Sequence, residues 1–170
     1  MRRVDEELFG KDVLEVAPAL CGAWLCRKYE DGSIARLLIT ETEAYRGEED
    51  TACHAHKGRT ARTEVLYGKP GTMYVYLCYG MHWLLNAVTG AEGEAQAVLI
   101  RACRTKEGPA RLTKALDITG EYHKNSFTTC DTLWIETDDR RHSVRRDVRV
   151  GIGYASKRDQ ARKWRFILDE

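Results

Sequence analysis

Residues 70–86, PGTMYVYLCYGMHWLLN, constrain the fold more than any other stretch. Lys69-Pro70-Gly71 is a turn, because proline presets one backbone angle and glycine accepts the next. Residues 72–79 then alternate, with Tyr74 and Tyr76 on one face and Val75 and Leu77 on the other, as a strand requires. Gly80 permits a tight reversal, and residues 82–88 are again rich in strand formers. The pattern predicts a hairpin with Tyr79 and Met81 at its tip. Those two large side chains either meet a partner or fold back onto the domain.

Residues 40–54, TETEAYRGEEDTACH, answer that hairpin. Apolar runs at 24–29 and 33–42 flank Glu30-Asp31-Gly32, which predicts a second hairpin. Period-two alternation places Leu37, Ile39, Glu41, Glu43 and Tyr45 on one face. The carboxylates therefore share a face with an aromatic ring, although acids at a strand end are commonly just solvated. With tyrosines and Asn86 clustered around one turn, the two stretches describe a pocket for a flat base.

The remaining segments read as scaffold. Asp12 is an N-cap for a helix through about residue 20, with Val13, Val16 and Leu20 on one face and a break or kink expected at Pro18. Residues 47–63 have loop composition with a basic stripe from Lys57, Arg59 and Arg62. Residues 96–103 form a buried strand with Ala97, Leu99 and Arg101 on one face, and the arginine either pairs with a carboxylate or emerges into solvent. Gly108-Pro109 opens a helix to about residue 116. Short strands are expected at 133–136, 148–152 and 164–168, with a basic connection over 140–149.

The chain of 170 residues suits one domain, 1–170, without a linker or repeat. Hydrophobic residues at 43% and charged residues at 31% exclude a disordered or membrane composition. Six cysteines without a C-x-x-C pair read as reduced thiols of an intracellular protein, in cytoplasm or nucleoid. Asp5, Glu6, Glu7, Glu15 and Pro18 interrupt any apolar core of a signal peptide. From Arg101 onward 16 Lys and Arg face 11 Asp and Glu, which suits either a phosphate-facing surface or a solvated one. His54-Ala55-His56 beside Cys53 lacks the further ligands a zinc site needs, so no metal is expected.

The motifs ETEAY (41–45), His54, PGTMYVYLCYGM (70–81), Asn86 and the apolar strand ending at Arg101 resemble the alkyladenine, or 3-methyladenine, DNA glycosylase family. The resemblance is specific across about residues 37–112 and continues more weakly through GPARL (108–112), RVGIG (149–153) and WRF (164–166). It implies an α+β fold, a single compact mixed domain with a curved, largely antiparallel sheet and a protruding hairpin. It also implies a monofunctional enzyme without cofactor that acts on double-stranded DNA containing damaged purines. A monomer is the default expectation, and the lack of 18 uninterrupted apolar residues argues against membrane insertion.

Position by position, the resemblance gives Glu43 the part of general base and Arg101 that of holding the carboxylate and its water. Tyr45, His54 and Tyr76 correspond to the walls around a flipped base, and the backbone near Ala52 and His54 to groups at the base edge. Asn86 corresponds to the residue opposing the amino group of guanine, and Tyr79, with Met81 beside it, to the side chain inserted into the duplex. The competing readings are a non-catalytic reader of damaged bases with the same fold, and a thiol hydrolase built on Cys53 and His54.

Overall fold

The computed structural model describes residues 1–170. In chain order the elements are β1 (Arg2–Arg3), α1 (Glu6–Phe9), α2 (Val13–Leu20), β2 (Trp24–Lys28), β3 (Ile34–Arg46), β4 (Met73–Cys78), β5 (His82–Thr89), β6 (Gln96–Cys103), β7 (Lys106–Glu107), α3 (Pro109–Ala115), β8 (Leu133–Thr137), β9 (Val144–Asp147), α4 (Lys157–Ala161) and β10 (Arg165–Leu168). Short 3-10 turns at Gly47–Glu49, His54–Lys57 and Glu64–Tyr67 fill the connection between β3 and β4. The architecture is α+β, with the open sheet ordered β1-β8-β2-β3-β6-β5-β4 and β10 branching from β3 to reach β9. Every strand pair is antiparallel.

The spine is β3. Its residues 34–38 pair with β2, whereas its far half pairs with β6 and, over Glu41 to Glu43, with β10. Between the two halves the register to β6 slips around Glu41, a bulge that inserts an extra residue and turns later side chains over. Before the slip Leu37 packs on the main core and Ile39 belongs to it; after the slip Ala44 does. Thr42 follows Ala44, donating its hydroxyl to the Ala17 carbonyl of α2 at 2.7 Å. The common face expected for Leu37, Ile39, Glu41, Glu43 and Tyr45 is therefore corrected. The first two face α2, while Glu43 and Tyr45 face the other way.

Helix α2 covers the core side of the sheet. Asp12 caps it by accepting from the Leu14 N–H at 2.9 Å, and Val13, Val16, Ala17 and Leu20 are buried. The break expected at Pro18 is absent, because proline falls in the last turn and the helix ends at Leu20. The main core joins α2 to the inner faces of β2, β3, β5, β6 and β8. A smaller cluster of Cys53, Leu66, Tyr67, Tyr74, Val88 and Ala97 forms under the 3-10 turns, with Tyr45 and Tyr76 at its edge.

Two further expectations need correction. The strand read at 148–152 lies instead at Val144–Asp147, inside the stretch read as a basic connection. Beyond Asp147 the chain turns inward, with the Arg149 side chain buried and Gly151 at φ 74°. Extended pairing cannot continue through that geometry, so Val148 and Val150 remain exposed. No helix is long and apolar enough to cross a membrane.

Candidate functional site

The site is assembled where the turned half of β3, the β4–β5 hairpin, the 3-10 turns and residues 148–156 converge. One cavity is lined by Tyr45, Ala52, His54, Tyr76 and Asn86 together with Cys53, Leu66, Tyr74, Ala97 and Tyr154. All five residues singled out from the sequence as base-binding thus line this one cavity. Tyr74 and Tyr76, on alternate positions of β4, stand 5.1 Å apart between ring centroids, and His54 meets Tyr76 edge-on at 4.8 Å. Tyr74 also hydrogen-bonds His54 Nδ1 at 2.9 Å, which fixes the imidazole plane. Burial, helped by the Arg62 charge, pushes the His54 pKa down to about 4, so this wall is a neutral ring at physiological pH.

Glu43 lies behind the cavity rather than on it. Its carboxyl is 1% exposed and accepts from the Tyr45 hydroxyl at 2.9 Å and from the Val150 N–H at 2.7 Å. The Tyr45 ring thus faces the cavity while its hydroxyl reports to the carboxylate. Burial raises the Glu43 pKa above the ordinary carboxylate value; the Val150 N–H, Arg101, Tyr45 and Arg149 oppose that rise.

Arg101 is shared between two carboxylates. Its Nε lies 3.1 Å from Glu41 and 3.8 Å from Glu43, so the nearer partner is the acid to which the sequence assigned no part. Glu41 is also paired with Arg165 at 3.0 Å, and Arg165 with Asp147 at 3.2 Å. The outcome for Arg101 is pairing rather than solvation.

Asn86, 4% exposed, faces Tyr74 across the β4–β5 ladder and donates its Nδ2 to the Tyr74 carbonyl at 3.1 Å. At the hairpin tip Tyr79 and Met81 are 91% and 71% exposed and do not line the cavity. They do not fold back onto the domain. Tyr79 and Gly80 both have positive φ, 52° and 66°, and Met81 N–H closes the turn on the Cys78 carbonyl at 3.1 Å. Two left-handed residues in succession form the mirror-image turn that matches strand twist; Gly80 adopts that conformation without cost, whereas Tyr79 does not.

Cys53 is 4% exposed, donates to the Ala95 carbonyl at 3.8 Å, and has its thiol pushed up to about 11 by burial. A thiolate nucleophile is not available there. No three His, Cys, Asp or Glu side chains are grouped to hold a metal ion.

Sequence reasoning missed Asp50, Arg149 and Tyr154 as members of the site. Arg149 pairs with Asp50 at 2.6 Å with both side chains fully buried, and its guanidinium lies 4.9 Å from the Tyr45 ring. Tyr154 donates its hydroxyl to the Ala52 carbonyl at 2.6 Å and closes one side of the cavity. Arg149 lies in the RVGIG segment and Tyr154 immediately follows it, so the available signal was that weak motif match.

Known proteins resemble this chain over most of its length. A family model described as methylpurine-DNA glycosylase matches residues 7–170. A protein of Nitrosococcus oceani is 38% identical over 181 aligned residues, covering 95% of this chain and 88% of its own. One of Myxococcus xanthus is 42% identical over 167, covering 91% and 84%, and one of Desulfitobacterium hafniense is 35% identical over 198, covering 100% and 97%. All three names include 3-methyladenine DNA glycosylase.

Proposed function

We propose, from the premise that this chain belongs to the methylpurine-DNA glycosylase family, that it excises damaged purines from double-stranded DNA by hydrolysing the bond between base and deoxyribose. The observation that carries this reading is the contact of Tyr45 with Glu43 at 2.9 Å. It joins an aromatic cavity to a buried carboxylate through one side chain.

The target nucleotide leaves the stack and its base enters between Tyr45, His54 and Tyr76. Extraction costs a few kcal/mol and least for a damaged or mispaired base. Stacking on aromatic side chains returns about 1 to 3 kcal/mol per base. A base made cationic by alkylation gains more from electron-rich ring faces, and a neutral His54 adds no like charge against it. Tyr79, with Met81 beside it, fills the vacated place in the duplex as a wedge. Asn86 opposes the amino group of guanine, so an unpaired or clashing polar group disfavours the normal purine, a penalty that the positive charge of 7-methylguanine on the aromatic walls offsets.

Water then attacks the anomeric carbon as the base departs. The new bond joins the water oxygen to that carbon, the glycosidic bond breaks with its electron pair passing to the base nitrogen, and the water proton passes to ionised Glu43. A cationic alkylpurine thereby leaves neutral, while a neutral purine such as hypoxanthine takes up a proton from solvent as it departs. General-base catalysis of this kind contributes roughly 10² to 10⁴ in rate. Arg101 and the Val150 N–H favour the ionised carboxylate that this step requires. Water, rather than a lysine amine, is the nucleophile, so the enzyme is monofunctional and leaves an intact abasic site. 3-Methyladenine, hypoxanthine, etheno-adenine and 7-methylguanine are the candidate substrates.

The test is hot-alkali strand scission of labelled duplexes carrying one hypoxanthine, etheno-adenine or 3-methyladenine, with borohydride trapping in parallel. Scission only after alkali, without a trapped covalent adduct, is expected. Tight binding of all three lesions without release would instead describe a non-catalytic reader, and a trapped adduct would contradict water as nucleophile.

A further inference from the structure

We propose that the buried Asp50–Arg149 ion pair is a positioning device for the reaction, holding the carboxylate, the aromatic wall and the cavity backbone in one geometry. The proposal rests on the excision chemistry above. Arg149 and Asp50 contact at 2.6 and 3.0 Å through the two ends of the guanidinium fork. From this pair, contacts run to each part of the site.

Toward the carboxylate, Arg149 Nη1 donates at 2.9 Å to the carbonyl of Ala44, the residue between Glu43 and Tyr45. The next residue, Val150, presents its N–H to Glu43 at 2.7 Å. Toward the wall, the guanidinium lies over the rings of Tyr45 and Trp164, at 4.9 and 5.0 Å from their centroids. Toward the cavity backbone, Asp50 accepts from the Ala52 N–H at 3.1 Å and from the Arg46 N–H at 3.0 Å. Arg149 Nη2 reaches the Asp159 carbonyl at 3.3 Å, and the Asp159 carboxylate in turn holds the Thr51 N–H at 3.0 Å.

Stability alone gives a weak reason for such a pair, since hydrophobic side chains of like volume commonly serve as well in a core. A planar fork that satisfies a carboxylate and a carbonyl while stacking on two rings is a demand that arginine meets and lysine does not. The same cation also bears on the charge of Glu43. The other groups facing that carboxyl are the Tyr45 hydroxyl, Arg101 from β6 and the Val150 N–H, with Glu41 and Arg165 one contact further out.

Single-turnover excision from a duplex with one hypoxanthine, followed from pH 5 to 9 alongside melting temperature, tests this on wild type, Glu43→Gln, Arg149→Lys, Arg149→Gln and Trp164→Leu. Arg149→Lys keeps the charge but loses the fork. Its plateau rate is expected to fall on the order of 10²-fold, the cost of small misplacement, with the acid limb unmoved. Arg149→Gln should lose as much and also shift the acid limb to higher pH, because a cation favouring ionised Glu43 is gone. Trp164→Leu leaves the ion pair intact but frees one face, and a smaller loss is expected. A merely structural pair would lower melting temperature in all three without moving plateau or limb in the folded fraction, and that result would overturn the proposal. If neither Arg149 variant folds, Trp164→Leu decides: a reduced plateau in folded protein supports positioning, and the wild-type plateau contradicts it. Absence of release by wild type is a different outcome, which removes the excision reading itself and the positioning role with it.

Discussion

The Tyr45 hydroxyl donates to Glu43 Oε1 at 2.9 Å, from a side chain two residues along the same strand. That bond stabilises the charged carboxylate against burial. Tyr45→Phe keeps the ring but removes the donor, so the Glu43 pKa rises further. Excision should then fall more at pH 6 than at pH 8 while lesion affinity is largely kept. A pH–rate profile identical to wild type would contradict this coupling.

His54 offers a direct titration. Its pKa is held down to about 4, chiefly by burial and then by Arg62. Because the folded value lies below the ordinary 6.5, the stability this ring contributes is complete above that ordinary value and is lost as pH falls toward 4. NMR titration of the imidazole should give a midpoint near 4, moved upward by Arg62→Gln. A midpoint at the ordinary histidine value would show a solvated ring.

Tyr79 separates strain from function. At φ 52° a tyrosine pays a left-handed backbone cost of about 1 to 2 kcal/mol that glycine does not pay. Tyr79→Gly should therefore not lower the melting temperature, since the side chain is 91% exposed and packs on nothing that folding needs. Excision from paired duplex should nevertheless fall several-fold more than excision from unpaired contexts. Equal loss in both contexts would argue against a wedge.

Asn86→Ser shortens the side chain that spans from β5 to the Tyr74 carbonyl at 3.1 Å. Release of guanine from undamaged or mispaired sites should rise relative to hypoxanthine release. An unchanged ratio would move discrimination to another part of the pocket.

Much of this was legible in the sequence because the informative elements are local. The β4–β5 hairpin follows from alternation and Gly80, and the cavity residues Tyr74 and Tyr76 fall on one face of it by strand geometry alone. The α2 cap follows from Asp12 in the same way. What alternation could not supply was the bulge near Glu41, since an inserted residue reverses parity without a residue-type signature here. It left Glu43 and Tyr45 correctly paired but assigned Leu37 and Ile39 to the wrong side. Arg149 was hidden for a different reason. Its partners Asp50 and Ala44 are distant in sequence, and a basic residue in a basic stretch reads as surface until the fold buries it.

Glu43 tests the central claim most directly. Burial holds its pKa above the ordinary 4.5, so the stability it contributes is present below that value and lost as pH rises through the raised one. Glu43→Gln should therefore melt no lower than wild type at pH 7. The decisive measurement is single-turnover release of hypoxanthine from a labelled duplex, with lesion affinity measured on the same preparations of wild type and Glu43→Gln. Loss of release by at least about 10²-fold with affinity within a few-fold is the expected result. Equal release by the two proteins would remove Glu43 from the chemistry.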